Sequence, residues 1–148
     1  MIIVFDTSPL IFLSKLKMIE NAFQMLRHYE ILIPQNVVEE IMFKEDSVYQ
    51  TINDLLEKYN IKIRKTYLTK LYTSINEKLG KGESEAIAIS LELNADYVIL
   101  DDYAARKEAE KLGLSIAGTL SIIKNMQEKK IITIENLEEF YKKLRFVL

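Results

Sequence analysis

The sequence predicts an α/β fold, a three-layer α/β/α sandwich around a mainly parallel sheet of about five strands. Two observations carry this. The first is a set of short, continuous apolar runs, Ile2–Phe5, Ile31–Ile33 and Tyr97–Leu100; runs without alternation belong to strands covered on both faces, as in parallel sheets. The second is that stretches with apolar residues at helical spacing separate these runs, joined by short turns, which is the pattern of repeated strand–helix–strand units.

In chain order, Ile2-Ile3-Val4-Phe5 is the first strand, and Asp6 stands at its end. Ser8 is a good helix cap and Pro9 a good first helical residue, because the N–H that proline lacks would be unpaired there. Leu10, Phe12, Leu13 and Leu16 form that helix's apolar side, and a second helix over about residues 19–29 buries Ala22, Phe23 and Leu26. Ile31-Leu32-Ile33 is a strand stopped by Pro34. Asn36 is expected to cap a helix with Val37, Val38, Ile41 and Met42 inward, Glu40 near the apolar boundary and Glu39 in solvent. A helix over residues 47–59, an edge strand over residues 61–65 and a helix over residues 68–79 follow.

The stretch Gly80–Asp102 is the centre of the chain. Gly80-Lys81-Gly82 reads as a tight turn, without the spacing of a P-loop. Glu83 and Glu85 occupy the first turn of the next helix, where negative charge suits the helix dipole. Ala86, Ile87, Ala88, Ile89, Leu91 and Leu93 make that helix apolar on most sides, and Asn94 ends it. Tyr97–Leu100 is a buried strand with Asp101 and Asp102 at its carboxyl end, the edge where open α/β sheets bind ligands. A helix over residues 104–112 ends at Gly113, Ser115–Ala117 is a last strand, and Gly118-Thr119 opens a helix with Leu120, Ile122, Ile123 and Met126 inward. A terminal helix over residues 135–144 carries Leu137, Phe140, Tyr141 and Leu144.

With 148 residues and no linker, repeat or low-complexity tract, one domain over residues 1–148 is expected. The chain has no cysteine, hence no disulfide framework or thiolate metal site, which fits a cytoplasmic protein. No apolar run approaches the ~18 residues of a membrane span, and no basic region precedes the first strand as in a signal peptide. The net charge of −2 excludes a global basic field. Locally, Lys58, Lys62, Arg64, Lys65, Lys70, Lys78 and Lys81 are interleaved with Tyr59, Tyr67 and Tyr72. That composition suits either an RNA-binding strip or a solvated helix face.

The candidate chemistry lies in the acids. In a parallel sheet, strand ends and the following helix starts share one edge, so Asp6, Glu40, Glu85 and Asp102, with Asp101 beside it, can converge. Converging carboxylates resist ionisation, and a hard cation such as Mg²⁺ or Mn²⁺, which takes oxygen ligands, relieves that repulsion. Such a centre activates water and stabilises charge on a phosphodiester. Taken singly, each acid is more often a cap or a solvated charge; the joint pattern carries the reading. His28, the only histidine, cannot build a histidine-rich metal site, and no Ser-His-Asp set is apparent.

Four segments in order resemble the motifs of the PIN domain, a nuclease fold. Asp6-Thr7-Ser8-Pro9-Leu10-Ile11 resembles the opening D-x-S/T-x-L motif, and Val37-Val38-Glu39-Glu40-Ile41 the second acidic motif. Gly82-Glu83-Ser84-Glu85-Ala86 resembles a G-E-x-E-A form of the third, and Leu100-Asp101-Asp102 the fourth. Asp102-Tyr103-Ala104-Ala105-Arg106 and Gly118-Thr119-Leu120 are similar to a prokaryotic PIN-like subfamily of largely unassigned function. The resemblance covers nearly the whole chain. It implies a VapC-like, metal-dependent endoribonuclease, the toxin of a toxin–antitoxin pair, with Asp6, Glu40, Glu85 and Asp102 as catalytic metal ligands for Mg²⁺ or Mn²⁺. Asp101 and Glu83 are further candidate ligands, and Ser8, Lys81 and Arg106 candidate RNA contacts. It further implies RNA as substrate, a homodimer formed through residues 10–23 or 140–148, and an antitoxin protein as partner. Two departures stand out: Leu100 occupies a position where the family carries Thr or Ser, and Glu85 one where many members carry Asp. The competing readings are a PIN-like module that binds RNA or protein without cutting, and a haloacid-dehalogenase-type phosphohydrolase. Against the latter, Ser8 replaces the second Asp of its D-x-D motif.

Overall fold

The protein's structure, a computed structural model, describes residues 1–135 and 137–147. Its elements alternate as the apolar runs require. Strand β1 (Ile2–Phe5) is followed by helices α1 (Thr7–Lys15) and α2 (Ile19–Met25), and β2 (Glu30–Pro34) by α3 (Gln35–Lys44) and α4 (Asp46–Leu56). Strand β3 (Lys62–Arg64) leads to α5 (Thr69–Asn76) and α6 (Lys81–Glu92), β4 (Tyr97–Ile99) to α7 (Tyr103–Lys111), and β5 (Ile116–Ala117) to α8 (Thr119–Glu128) and α9 (Leu137–Val147). The sheet has five strands in the order β3-β2-β1-β4-β5. Every pairing is parallel, with Ile3 beside both Ile31 and Tyr97, Ile33 beside Ile63, and Val98 beside Ile116.

Because side chains alternate along a strand, each central strand feeds two cores. Ile3, Phe5, Ile31, Ile33 and Ile99 point to one face, where α1, α2, α3, α4 and α8 supply Leu10, Leu13, Phe23, Val37, Ile52 and Met126. Phe5 and Phe23 meet edge to face there, with centroids 5.8 Å apart. Val4, Leu32, Val98 and Leu100 point to the other face, covered by α5, α6 and α7 through Ile75, Ala86, Ile87, Ile89, Ala105 and Ala109. This is the expected three-layer sandwich, with a sheet that is entirely parallel.

The local signals act mostly as expected. Asn94 and Gly113 adopt left-handed backbone, φ 52° and 79°, at the ends of α6 and α7, the conformation those residue types tolerate best. Several boundaries differ. Helix α1 begins at Thr7 with Asp6 as its cap residue, so Ser8 lies inside the first turn and is not the cap. Helix α3 begins at Gln35, one residue before the expected cap Asn36, because Pro34 already supplies an extended cap. Lys81 and Gly82 belong to α6 rather than to a turn. Met42 and Leu120, expected inward, are exposed; each lies just off the buried stripe of its helix, marked by Val38 and Ile41 in α3 and by Ile122, Ile123 and Met126 in α8. Leu10, Leu13, Ile19, Ala22 and Phe23 are all in the core, while Ile11, Phe12, Leu16 and Met18 of the same stretch are partly exposed. Of the terminal helix, Asn136, Leu148 and the side chains of Leu137 and Tyr141 lie outside the described residues, while Leu144 is buried. Among the described residues no helix is long and apolar enough to cross a membrane.

Candidate functional site

Strand order reverses at β1, whose neighbours are β2 on one side and β4 on the other. The crevice between the carboxyl ends of β1 and β4 is therefore a topological switch point, the place where doubly wound sheets receive ligands. Asp6 leaves β1 there and donates its backbone N–H to Ile99 O (3.1 Å). Asp101 and Asp102 leave β4 at the same edge. The second turn of α3 brings Glu40 to it, and the start of α6 brings Glu83.

Asp6 is the most deeply placed acid, 3% exposed, and its Oδ1 has no hydrogen-bond partner. Burial pushes its carboxyl up from 3.8 to about 8; the Thr7 backbone N–H partly opposes this, and repulsion from Glu83, Glu40 and Asp101 adds to it. Glu83 is half-buried, with Oε2 unpartnered. Burial, then the negative charges of Asp102 and Glu40, raise its carboxyl as well. Asp102 faces Glu83, and two carboxylates can bond to one another only by sharing a proton. Asp102 also caps α7, accepting the Ala105 N–H at Oδ2 (3.0 Å).

Three further acids are tied at both oxygens. Glu40 accepts the Gly82 N–H at Oε1 (2.7 Å) and the Thr7 hydroxyl at Oε2 (2.8 Å). Glycine at position 82 leaves room for this approach: a Cβ there would lie 2.7 Å from Glu40 Oε1, which would have to shift. Glu85, 4% exposed, accepts the N–H of Asn36 at Oε1 (2.8 Å) and that of Thr66 at Oε2 (3.4 Å). Its charge bears on Tyr72, whose hydroxyl is held above its usual value by burial first and by Glu85 second. Asp101 accepts the Thr119 N–H at Oδ1 (2.8 Å) and its hydroxyl at Oδ2 (2.5 Å).

The expected quartet thus reaches one region, but unequally. Asp6 and Glu40 stand together with Glu83, Asp101 and Asp102, while Glu85 turns toward the start of α3 and the segment after β3. Among the described residues no three His, Cys, Asp or Glu side chains already stand in a ligating arrangement. The donor set still suits Mg²⁺ or Mn²⁺ chemically. It is all oxygen, it contains a buried carboxylate oxygen without a partner, and its mutual repulsion is what a cation removes.

Of the candidate RNA contacts, Lys81 is exposed at the start of α6 and Ser8 is partly exposed in α1. Arg106 donates to Leu100 O (3.3 Å) and lines a cleft of about 300 Å³ with Asp101, Gly118, Thr119 and Leu120, directly beside the acids. The basic segment is not a continuous strip, since Lys58 pairs with Glu20, Lys62 with Glu30 and Arg64 with Glu92. The wider depression of about 680 Å³, lined by Glu20, Arg27, His28 and Lys58, shares no residue with the acid cluster. It lies toward the amino ends of β2 and β3, so size alone does not mark the chemistry. The Thr119 lock on Asp101 falls in the G-T-L triplet, but no local signal in the sequence points to it.

No curated protein matches the chain. Among solved structures, a PilT N-terminus domain protein, SSO1118, from the hyperthermophilic archaeon Sulfolobus solfataricus P2 is similar in fold. The TM-score is 0.53 at 18% identity, over 84% of this chain and 92% of that one. The family described as DUF3368, PIN domain, matches residues 2–147. That match spans the switch-point crevice and the helices on both faces of the sheet, and the chain belongs to this family of PIN domains.

Proposed function

We propose that the protein is a metal-dependent endoribonuclease that hydrolyses RNA phosphodiesters at the switch-point crevice. The observation that carries this reading is Asp6, a buried carboxylate with an unpartnered oxygen, at the centre of acids contributed by β1, α3, α6 and the end of β4. Carboxylates drawn from Asp6, Glu40, Glu83, Glu85, Asp101 and Asp102 would hold Mg²⁺ or Mn²⁺. When bound, such a cation supplies an activated water and charge stabilisation at the phosphoryl group. The chain's own part is to hold these oxygens at one edge, to keep Asp6 shielded from bulk water and to present Arg106 beside them, where a phosphate of the substrate can pair with it. Lys81 and Ser8, at the starts of α6 and α1, are further candidate RNA contacts. In the finer form of this reading the enzyme is a cytoplasmic toxin, acting as a homodimer and silenced by an antitoxin protein, as members of the PIN family imply.

The test is cleavage of a mixed panel of labelled RNAs in Mn²⁺. The wild type is expected to cut, and Asp6→Asn to cut at least 100-fold more slowly with unchanged circular dichroism. Equal cutting by both overturns the proposal. A second reading, a module that binds RNA without cutting it, is favoured by Leu100: this fully buried side chain occupies a position where the family carries a hydroxyl. RNA retained in EDTA, with no products in Mn²⁺, would select it.

A further inference from the structure

Two glutamates near the start of α6, Glu83 in its first turn and Glu85 just beyond it, compete for one role, and the resemblance favours Glu85. The hydrogen bonds divide the acids differently. Glu40, Glu85 and Asp101 each have both carboxylate oxygens engaged by donors of the chain. In every case a donor is a backbone N–H on another element, so the bond fastens two elements together. Glu85 fastens α6 to the start of α3 and to the segment after β3. Glu40 fastens α3 to the starts of α6 and α1. Asp101 fastens the end of β4 to the start of α8. Asp6 and Glu83, by contrast, each keep a buried oxygen with no partner, and Asp102, whose Oδ2 caps its own helix, meets only another acid, Glu83, beyond it.

A buried carboxylate oxygen without a donor is costly, and a proton or a cation relieves that cost at Asp6, which is almost fully buried. Glu83 and Glu40 face Asp6, and Asp102 faces Glu83. Glu85 instead turns its two oxygens to the N–H groups of Asn36 and Thr66. We propose that the cation-binding carboxylates of this chain are Asp6, Glu83 and Asp102, and that Glu40, Glu85 and Asp101 are structural braces that fasten the elements carrying them. The assignment rests on the metal-dependent reading of the site and names which oxygens are open to the cation.

The consequence is a separation of effects within one helical turn. Removing Glu83 costs cation affinity, whereas removing Glu85 costs folding, because it leaves the N–H groups of Asn36 and Thr66 without acceptors. The test is Mn²⁺ binding, measured by the loss of the free-ion electron paramagnetic resonance signal, together with thermal unfolding in EDTA, on the full chain. Glu83→Gln is expected to weaken Mn²⁺ at least tenfold while the melting temperature in EDTA stays level or rises. Glu83→Asp, which retains the charge one methylene further back, is expected to fall between Glu83→Gln and the wild type. Glu85→Gln is expected to melt lower in EDTA and, below that transition, to bind Mn²⁺ within about threefold of the wild type. Tight Mn²⁺ binding by Glu83→Gln overturns the assignment but leaves a metal site standing. So does loss of binding in a Glu85→Gln protein that melts like the wild type. Absence of Mn²⁺ binding by the wild type overturns the metal reading itself, and this assignment with it.

Discussion

Asp6 sets the behaviour of the site at the level of single residues. Its carboxyl titrates near 8 in the folded protein and near 3.8 when exposed, so the folded state holds the proton more tightly than the unfolded one. For an acid raised in this way, stability is greatest below the lower value and falls as pH rises toward the upper one, by about 1.4 kcal/mol per pH unit. Metal-free protein is therefore expected to lose melting temperature between pH 4 and 8 beyond what its other groups cause. Asp6→Asn should abolish that extra slope, so that at pH 8 in EDTA the variant melts above the wild type. Identical slopes in the two proteins would show that Asp6 is not buried as described. Gly82 makes a second prediction at this scale. Its missing side chain lets Glu40 reach the backbone, and a methyl group there would press on Glu40 Oε1 at 2.7 Å. Gly82→Ala should lower stability by about 1–3 kcal/mol, measurable by urea unfolding, and more than Gly113→Ala, where no atom lies within 4 Å and only the left-handed backbone opposes the substitution.

Between elements, carboxylates do much of the fastening at the carboxyl edge and at the short strand β3. Glu92, at the end of α6, accepts from Arg64, the Thr66 hydroxyl and the Tyr67 N–H. Desolvation pushes its carboxyl up, but these donors outweigh it and hold it below the usual glutamate range. A depressed acid stabilises the fold above its unfolded value and loses that contribution as pH falls through the folded one. Below about pH 4.5 the attachment of β3 to α6 is therefore expected to loosen first. Amide exchange in residues 62–67 should accelerate there, and Glu92→Gln should show the same loosening already at pH 7. If exchange in this segment is unaffected by the substitution, the edge strand is held by packing alone. Thr119→Val is the corresponding change on the other side of the crevice. It removes the hydroxyl bond to Asp101 while keeping the backbone one, and should destabilise by about 1 kcal/mol.

At the scale of the molecule, the two cores share one sheet. Phe23 on one face and Ile87 on the other are both fully buried. Truncation to Ala should cost about 3–5 kcal/mol for Phe23 and about 2–5 kcal/mol for Ile87, and both are expected to shift a single cooperative transition, because neither face exists without the strands between them. Separate transitions for the two variants would contradict that coupling. The surface has a matching asymmetry. Phe43 is 92% exposed and Met42 beside it 47%, whereas Leu10, Leu13, Ile19, Ala22 and Phe23 of the first two helices are spent on the core.

The strands and helices were legible in the sequence because burial on both faces demands unbroken apolar runs, and because Asn94, Gly113 and Pro34 announce the ends of elements through their own backbone preferences. The acids at the strand ends were legible for the same reason, since a parallel sheet collects such positions along one edge. Roles within the acid cluster were not. Glu83 and Glu85 are two residues apart in the same helical turn, and nothing local separates them. What separates them are donors 49 and 19 positions away, Asn36 and Thr66, which meet Glu85 only after α3 and β3 have packed against α6. A residue's preference for helix or strand is local and therefore written in the chain. Which lone pairs of a carboxylate remain open depends on atoms that only the folded sheet and its helices bring within hydrogen-bond distance.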